Sequence, residues 1–231
     1  GIGIALAVFL LGAILFLTVR IQNITVTGSE RYTAEEVEEL LFPGSWGKNA
    51  AGAYLNYRLK PHRQIPFVED YRIVFHSPLD VEVIIYEKSI VGYVSYMSSY
   101  MYFDKDGIIV ESSSEQLPGV PVIPGLEFGH IVLPQPLPVA DQDIFGEILN
   151  LTQVLNVSDI QVDKINYNSY NEAELVMGDI TVELGNSDSL DGKIAELHDI
   201  MTELTGLSGT LYLDTYDETN SSPTYRFVKK N

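Results

Sequence analysis

The residues in this chain that could do chemistry are its carboxylates: Asp and Glu number thirty-two against fourteen Lys and Arg, with four histidines and no cysteine. Paired acids can act as general acid and base, but at this density proximity arises by chance and no pair stands out. The most tempting pattern is YFDKDGIIVESS, whose Asp-x-Asp-Gly resembles a calcium loop. With Gly107 in the sixth place, the first and twelfth fall on Tyr102 and Ser113, where such a loop needs Asp and Glu. GSWGK has two residues between its glycines where a phosphate loop has four, and no strand precedes it. Neither G-x-S-x-G nor H-E-x-x-H occurs. His62, His76, His130 and His198 are widely scattered, and the lack of cysteine removes thiolate zinc sites and a disulfide framework. The expectation is a protein that is not an enzyme, with no catalytic residue, no cofactor and no metal.

Charge is placed unevenly. Residues 20–88 hold eight Lys/Arg against ten Asp/Glu, whereas residues 89–225 hold three against twenty-two. Arg226, Lys229 and Lys230 then turn the last six residues positive, within a net charge of -18. Such a surface repels nucleic acid, so no nucleic-acid partner is expected. The N-x-[ST] triplets at Asn23, Asn150, Asn156 and Asn220 matter only in a glycosylating host and read as chance.

The elements that must position any site begin with GIGIALAVFLLGAILFLTV, nineteen residues without a charge. At ~1.5 Å per residue a helix of this length reaches roughly 29 Å, about the thickness of a bilayer's hydrocarbon core. The run ends in Leu17, Thr18, Val19 and Arg20 without a small-x-small cleavage site. It therefore reads as a transmembrane helix over 1–20 rather than a signal peptide or a buried core helix. Because the sequence opens on Gly1, a segment is expected upstream, with the basic residues that would set orientation.

A strand follows at once, with Ile24 and Val26 on one side and Gly28 ending it. YTAEEVEELLFPG marks a helix at both ends: Thr33 as N-cap, Glu36 closing a capping box, Val37, Leu40 and Leu41 on one face, and Pro43-Gly44 as the stop. KNAAGAYLNYRL reads as a second helix. Tyr71, Ile73 and Phe75, a turn at HSPLD, and Val81, Val83 and Ile85 read as two strands. Beyond residue 88 short strands dominate, with Asp106-Gly107 as a hairpin turn and six prolines between Leu117 and Pro138 as a connector crossing the domain. A helix is expected over 144–157, and another where Ile194, Leu197, Met201 and Leu204 recur at intervals of three and four. KINYNS, EAELVMGDITVELG, GTLYLDTY and SPTYRFVKK read as strands. The fold class is α+β: a transmembrane helix (1–20), a β-α-α-β-β unit (21–88), then a mostly antiparallel beta domain with a late helix (89–231).

Taken in succession, ITVTGSERYTAEEVEELL, then PFVEDYRIVFHSPLDVEVIIYEKSIVGYV with Pro66, Val68, Pro78, Glu87 and Lys88, then YFDKDGIIVESS, LPGVPVIPG, VMGDITVELG, Lys193 and GTLYLDTY resemble the FtsQ/DivIB family of bacterial cell-division proteins. The likeness runs from Arg20 nearly to the end, with KNAAGAYLNYRLKPHRQ the loosest part. The resemblance implies a POTRA domain over 21–88, an extracytoplasmic beta domain beyond it, and a single-pass protein of the cell membrane at the division septum. It also implies a scaffold without catalysis that binds FtsL-like and DivIC/FtsB-like coiled-coil membrane proteins and, through them, helps regulate the septal peptidoglycan synthase complex. Two other readings are a POTRA module of a secretion or assembly system and a membrane-anchored cell-wall hydrolase.

Physically, a terminal strand tends to lie at a sheet edge, where unpaired backbone groups accept an incoming strand. TYRFVKK suits that role, with Tyr225 and Phe227 on one face, Arg226 and Val228 on the other, and Lys229 and Lys230 against self-pairing. The family's FtsB-type partner docks along the last strand, which by position implies Thr224, Tyr225, Arg226, Phe227, Val228 and Lys229, with Tyr212 and Asp214 as neighbours on the strand before. The alternative is that Tyr225 and Phe227 are core.

Overall fold

The computed structural model describes residues 1–220 and 224–230. The chain is mixed α and β and divides into two compact units, Gly1–Lys88 and Ser89–Asn231.

The first unit contains α1 (Ile2–Thr18), β1 (Asn23–Thr27), α2 (Ala34–Leu41), the single turn α3 (Gly44–Gly47), α4 (Ala50–Leu59), β2 (Val68–Phe75) and β3 (Asp80–Glu87). Its sheet has the order β1-β3-β2, with β3 parallel to β1 and antiparallel to β2. Strand β3 alternates strictly, burying Val81, Val83 and Ile85 against Val37, Phe42, Ala50 and Ala53 of the helical segment. The start of α2 is set by the capping box: Thr33 Oγ1 accepts from Glu36 N, and Glu36 Oε2 accepts from Thr33 N at 2.8 Å. Beside β3, Glu87 accepts hydrogen bonds from Ser29 Oγ (2.7 Å) and from the Glu30 and Arg31 amides (both 3.0 Å), with Arg31 Nε 3.2 Å away. Burial alone would raise this carboxyl, but those donors and the guanidinium hold it below its ordinary value.

The transmembrane helix expected over 1–20 requires a correction. Helix α1 has 17 residues, and among the described residues no helix is long and apolar enough to cross a membrane. It stops because the next residues are committed to the first unit: Val19 O accepts from Ala50 N (3.1 Å), Ile21 N donates to Lys48 O (2.8 Å), and Gln22 N and Asn23 N both donate to Leu79 O. An extended segment paired on both sides cannot continue a helix.

The second unit contains β4 (Gly92–Tyr96), β5 (Ser99–Phe103), β6 (Ile109–Ser113), α5 (Gln142–Val157), β7 (Lys164–Tyr167), β8 (Ala173–Met177), β9 (Ile180–Gly185), α6 (Leu190–Leu204), β10 (Gly209–Tyr212) and β11 (Arg226–Lys229). Strands β4-β5-β6 form a meander, and β11-β10-β9-β8-β7 form a larger sheet. Val122 joins the two. On one side Tyr93 N donates to Pro121 O and Ile123 N to Tyr93 O; on the other Val122 N donates to Asp163 O and Ile165 N to Val122 O, all within 2.9–3.1 Å. The proline-rich connector thus supplies the seam of one continuous sheet.

All strand pairs of this unit are antiparallel except β9 with β10, which run parallel across α6. The two helices expected over 144–157 and at the Ile194 stripe both form and close the core: Ile148, Leu151 and Leu155 of α5 and Ile194 and Leu197 of α6 cluster with Ile165, Leu175, Val182 and Leu211. Helix α5 starts two residues before Ile144, because Asp141 Oδ1 accepts from the Asp143 and Ile144 amides. The β4–β5 turn is made by Met97 and Ser98 at φ 47° and 64°, a left-handed pair without the glycine or asparagine that usually marks one. The β5–β6 turn uses Asp104, whose Oδ1 accepts from Asp106 N and Ile108 N. Gly107 follows at φ 74°, and a Cβ there would stand 2.6 Å from Phe145 Cε1.

The Glu87 network predicts a pH dependence. A carboxyl whose folded pKa is depressed contributes stability above its unfolded value and loses it as pH falls through the folded one. Glu87→Gln should cost about 1–2 kcal/mol at neutral pH and progressively less in acid, read by urea denaturation at several pH values.

Candidate functional site: the open edge of the large sheet

Strand β11 lies at one end of the five-stranded sheet and, among the described residues, pairs only with β10. The register sets Arg226 opposite Tyr212, Phe227 opposite Leu211, Val228 opposite Thr210 and Lys229 opposite Gly209. Which backbone groups remain open follows from the bonds around that ladder. Gly209 N donates to Asp179 O and Leu213 N to Glu183 O, so the odd-numbered residues of β10 are spent on β9. Lys230 N donates to Ser208 O, so the even-numbered residues of both strands face each other. The amides and carbonyls of Phe227 and Lys229 therefore point away from the sheet, in the geometry that accepts another strand.

The close approach of β11 is made possible by Gly209. A Cβ at that position would stand 2.2 Å from Val228 O and 2.9 Å from Phe227 Cζ, so only glycine permits the pairing.

Side chains alternate across β11 as its sequence requires. Tyr225 and Phe227 pack partly buried against the core, and Tyr225 Oη is buried with no hydrogen-bond partner among the described residues. Burial and nearby Glu196 push this phenol up to about 12. Arg226 and Val228 face solvent, with the Arg226 guanidinium 3.9 Å from the centre of the Tyr212 ring. This is cation–π stacking within the domain.

Several expected site residues are placed differently. The strand expected over SPTYRFVKK, residues 222–230, is Arg226–Lys229 among the described residues, because the ladder is limited to the four residues of β10. Thr224 and Tyr225 precede it, and residues 222–223 of the same expected strand lie outside the described residues. Asp214 is not on the neighbouring strand: β10 ends at Tyr212 and Asp214 stands in the turn beyond, its Cβ 3.0 Å from where a Cβ on Gly185 would lie.

The exposed face next to the edge carries a feature that spacing alone did not reveal. Successive registers align Asn166, Glu174, Glu183, Tyr212 and Arg226 in one row across β7 to β11. Asn166 Nδ2 donates to Glu174 Oε1 at 2.6 Å. Glu183 has partial burial and Glu174 directly opposite, and both push its carboxyl up. The row is acidic in its middle and basic at the open edge. Behind it, Lys193 of α6 is buried and donates to Asn186 O at 2.8 Å, bracing the β9–α6 loop, and burial pushes its amine down. Among the described residues no group of three His, Asp or Glu could hold a metal.

Two outcomes are expected. Gly209→Ala should detach β11, costing about 1–3 kcal/mol and removing hydrogen-exchange protection from the Val228 amide. A carboxyl with a raised folded pKa contributes fully below its unfolded value, and that contribution is lost as pH rises through the folded one. Glu183→Gln should therefore stabilise the protein at neutral pH by less than about 1 kcal/mol, and leave it unchanged near pH 4, in paired thermal melts. The chain matches no protein-family model, and no curated protein matches it.

Proposed function

We propose that this chain is a non-catalytic scaffold of bacterial cell division, similar in layout to the FtsQ/DivIB family, whose open strand edge binds a partner outside the membrane. The observation that carries the reading is the edge itself: the last strand of the sheet, paired with β10 on one side and, among the described residues, open on the other, with Phe227 and Lys229 offering their backbone groups. An incoming strand gains affinity from main-chain hydrogen bonds and specificity from neighbouring side chains. The exposed row beside it gives Arg226 for a partner's acid and Glu174 and Glu183 for a partner's base. The partners are FtsL-like and DivIC/FtsB-like membrane proteins, with the septal peptidoglycan synthase complex reached through them.

The order of β1, helices α2 and α4 with the single turn α3 between them, then β2 and β3 supports the POTRA part of the reading, and the apolar α1 supports a place at the membrane. With α1 bonded straight into the folded unit, partners carrying their own anchors would meet it in two dimensions. Tethering of that kind raises effective concentration without new contacts.

A proline exchange separates strand addition from side-chain packing. Lys229→Pro removes an amide that points away from β10, so the fold should persist while partner binding falls at least about tenfold. Val228→Pro removes an amide bonded to β10 and should destabilise the strand as well. Pull-down of coiled-coil partners, with photo-crosslinking from position 228 and from the exposed Glu39 of α2 as control, reads the result. Undiminished capture by a folded Lys229→Pro protein would sink the proposal.

A further inference from the structure

We infer that the first unit is seated on a lipid bilayer through a patch at the foot of α1, with the Trp46 indole at headgroup level; this rests on the membrane reading above but does not require α1 to cross. Helix α1 is uncharged and apolar in sequence, and its Ile2, Ile4 and Phe9 are exposed at 88%, 74% and 74%. Such a helix needs an apolar surround.

The residues that follow it are not a free tether. Val19 is bonded to Ala50, Ile21 to Lys48, and Gln22 and Asn23 to Leu79, so the turns around 46–50 and 76–79 are held at the base of the helix. The medium that receives α1 therefore reaches these turns.

The residues found there suit an interface. Trp46, the chain's one tryptophan, is 85% exposed on the single-turn α3, where an indole contributes little to the core. Tryptophan has an apolar body and a polar N–H and favours the headgroup level of bilayers. Tyr54 and Leu79 are also exposed, and Tyr54 packs edge-on against Phe75 at 5.4 Å. Gly12, Val19, Ala51, Tyr54 and Pro78, with His76 and Ser77, line a mainly apolar groove of about 680 Å³ alongside α1. The polar groups nearby are of mixed sign: Arg20, Glu35, Glu39 and the Lys48–Glu38 pair border a neighbouring depression. A patch with no excess of positive charge selects zwitterionic rather than anionic lipid.

The single tryptophan makes the test direct. The full chain is reconstituted into phosphatidylcholine vesicles whose acyl chains are brominated either near the headgroup or near the methyl end. Trp46 emission should shift to the blue and be quenched about twofold or more by the shallow bromines, and less by the deep ones. A second protein, Trp46→Phe with Phe9→Trp, reports α1 separately. Quenching at position 9 with none at Trp46 overturns the seated patch while leaving α1 in lipid. Absence of quenching at both positions overturns the seat and the membrane reading together.

Discussion

The second unit depends on backbone pairing at Val122. Four hydrogen bonds, two to Tyr93 and two to the 163–165 segment, turn a three-stranded meander and a five-stranded sheet into one surface. Pro121 and Pro124 bracket the seam, and because neither has an amide they prevent the connector from pairing further. With β7 covered by this seam, the outer edge of the larger sheet falls at β11, where the amides of Phe227 and Lys229 are left open. The candidate site is thus a consequence of where pairing stops.

The same logic explains the first unit. Its central strand β3 is paired on both sides and carries the buried Val81, Val83 and Ile85, so the helical segment has a rigid floor. The foot of α1 is tied to that floor through Lys48, Ala50 and Leu79. A helix attached by hydrogen bonds transmits its orientation to the unit, whereas a flexible linker would not.

Much of the local structure was legible from residue order. Thr33 and Glu36 marked the start of α2, and the alternation of Val81, Val83 and Ile85 marked β3. The stripe of Ile194 and Leu197 gave α6 its buried face, and Asp106-Gly107 marked a turn. Other features were not legible. Met97-Ser98 makes a left-handed turn because β4 and β5 are held in register around it, not because either residue favours one. The length of α1 was overestimated because apolarity says where a helix is allowed, while the bonds of Val19 and Ile21 decide where it must stop.

What the sequence determined by itself was the alphabet of elements, their order, the faces they would bury and the segregation of charge, because these follow from side chains three or four apart in a helix or two apart in a strand. Only the tertiary structure decided which backbone groups of the last strand would face outward, that Asp214 would leave β10, and that Asn166, Glu174, Glu183, Tyr212 and Arg226 would share a row. The reason is that every residue but proline offers the same backbone donor and acceptor. A strand's partner is selected by distant packing and register, and short-range patterns do not carry that choice.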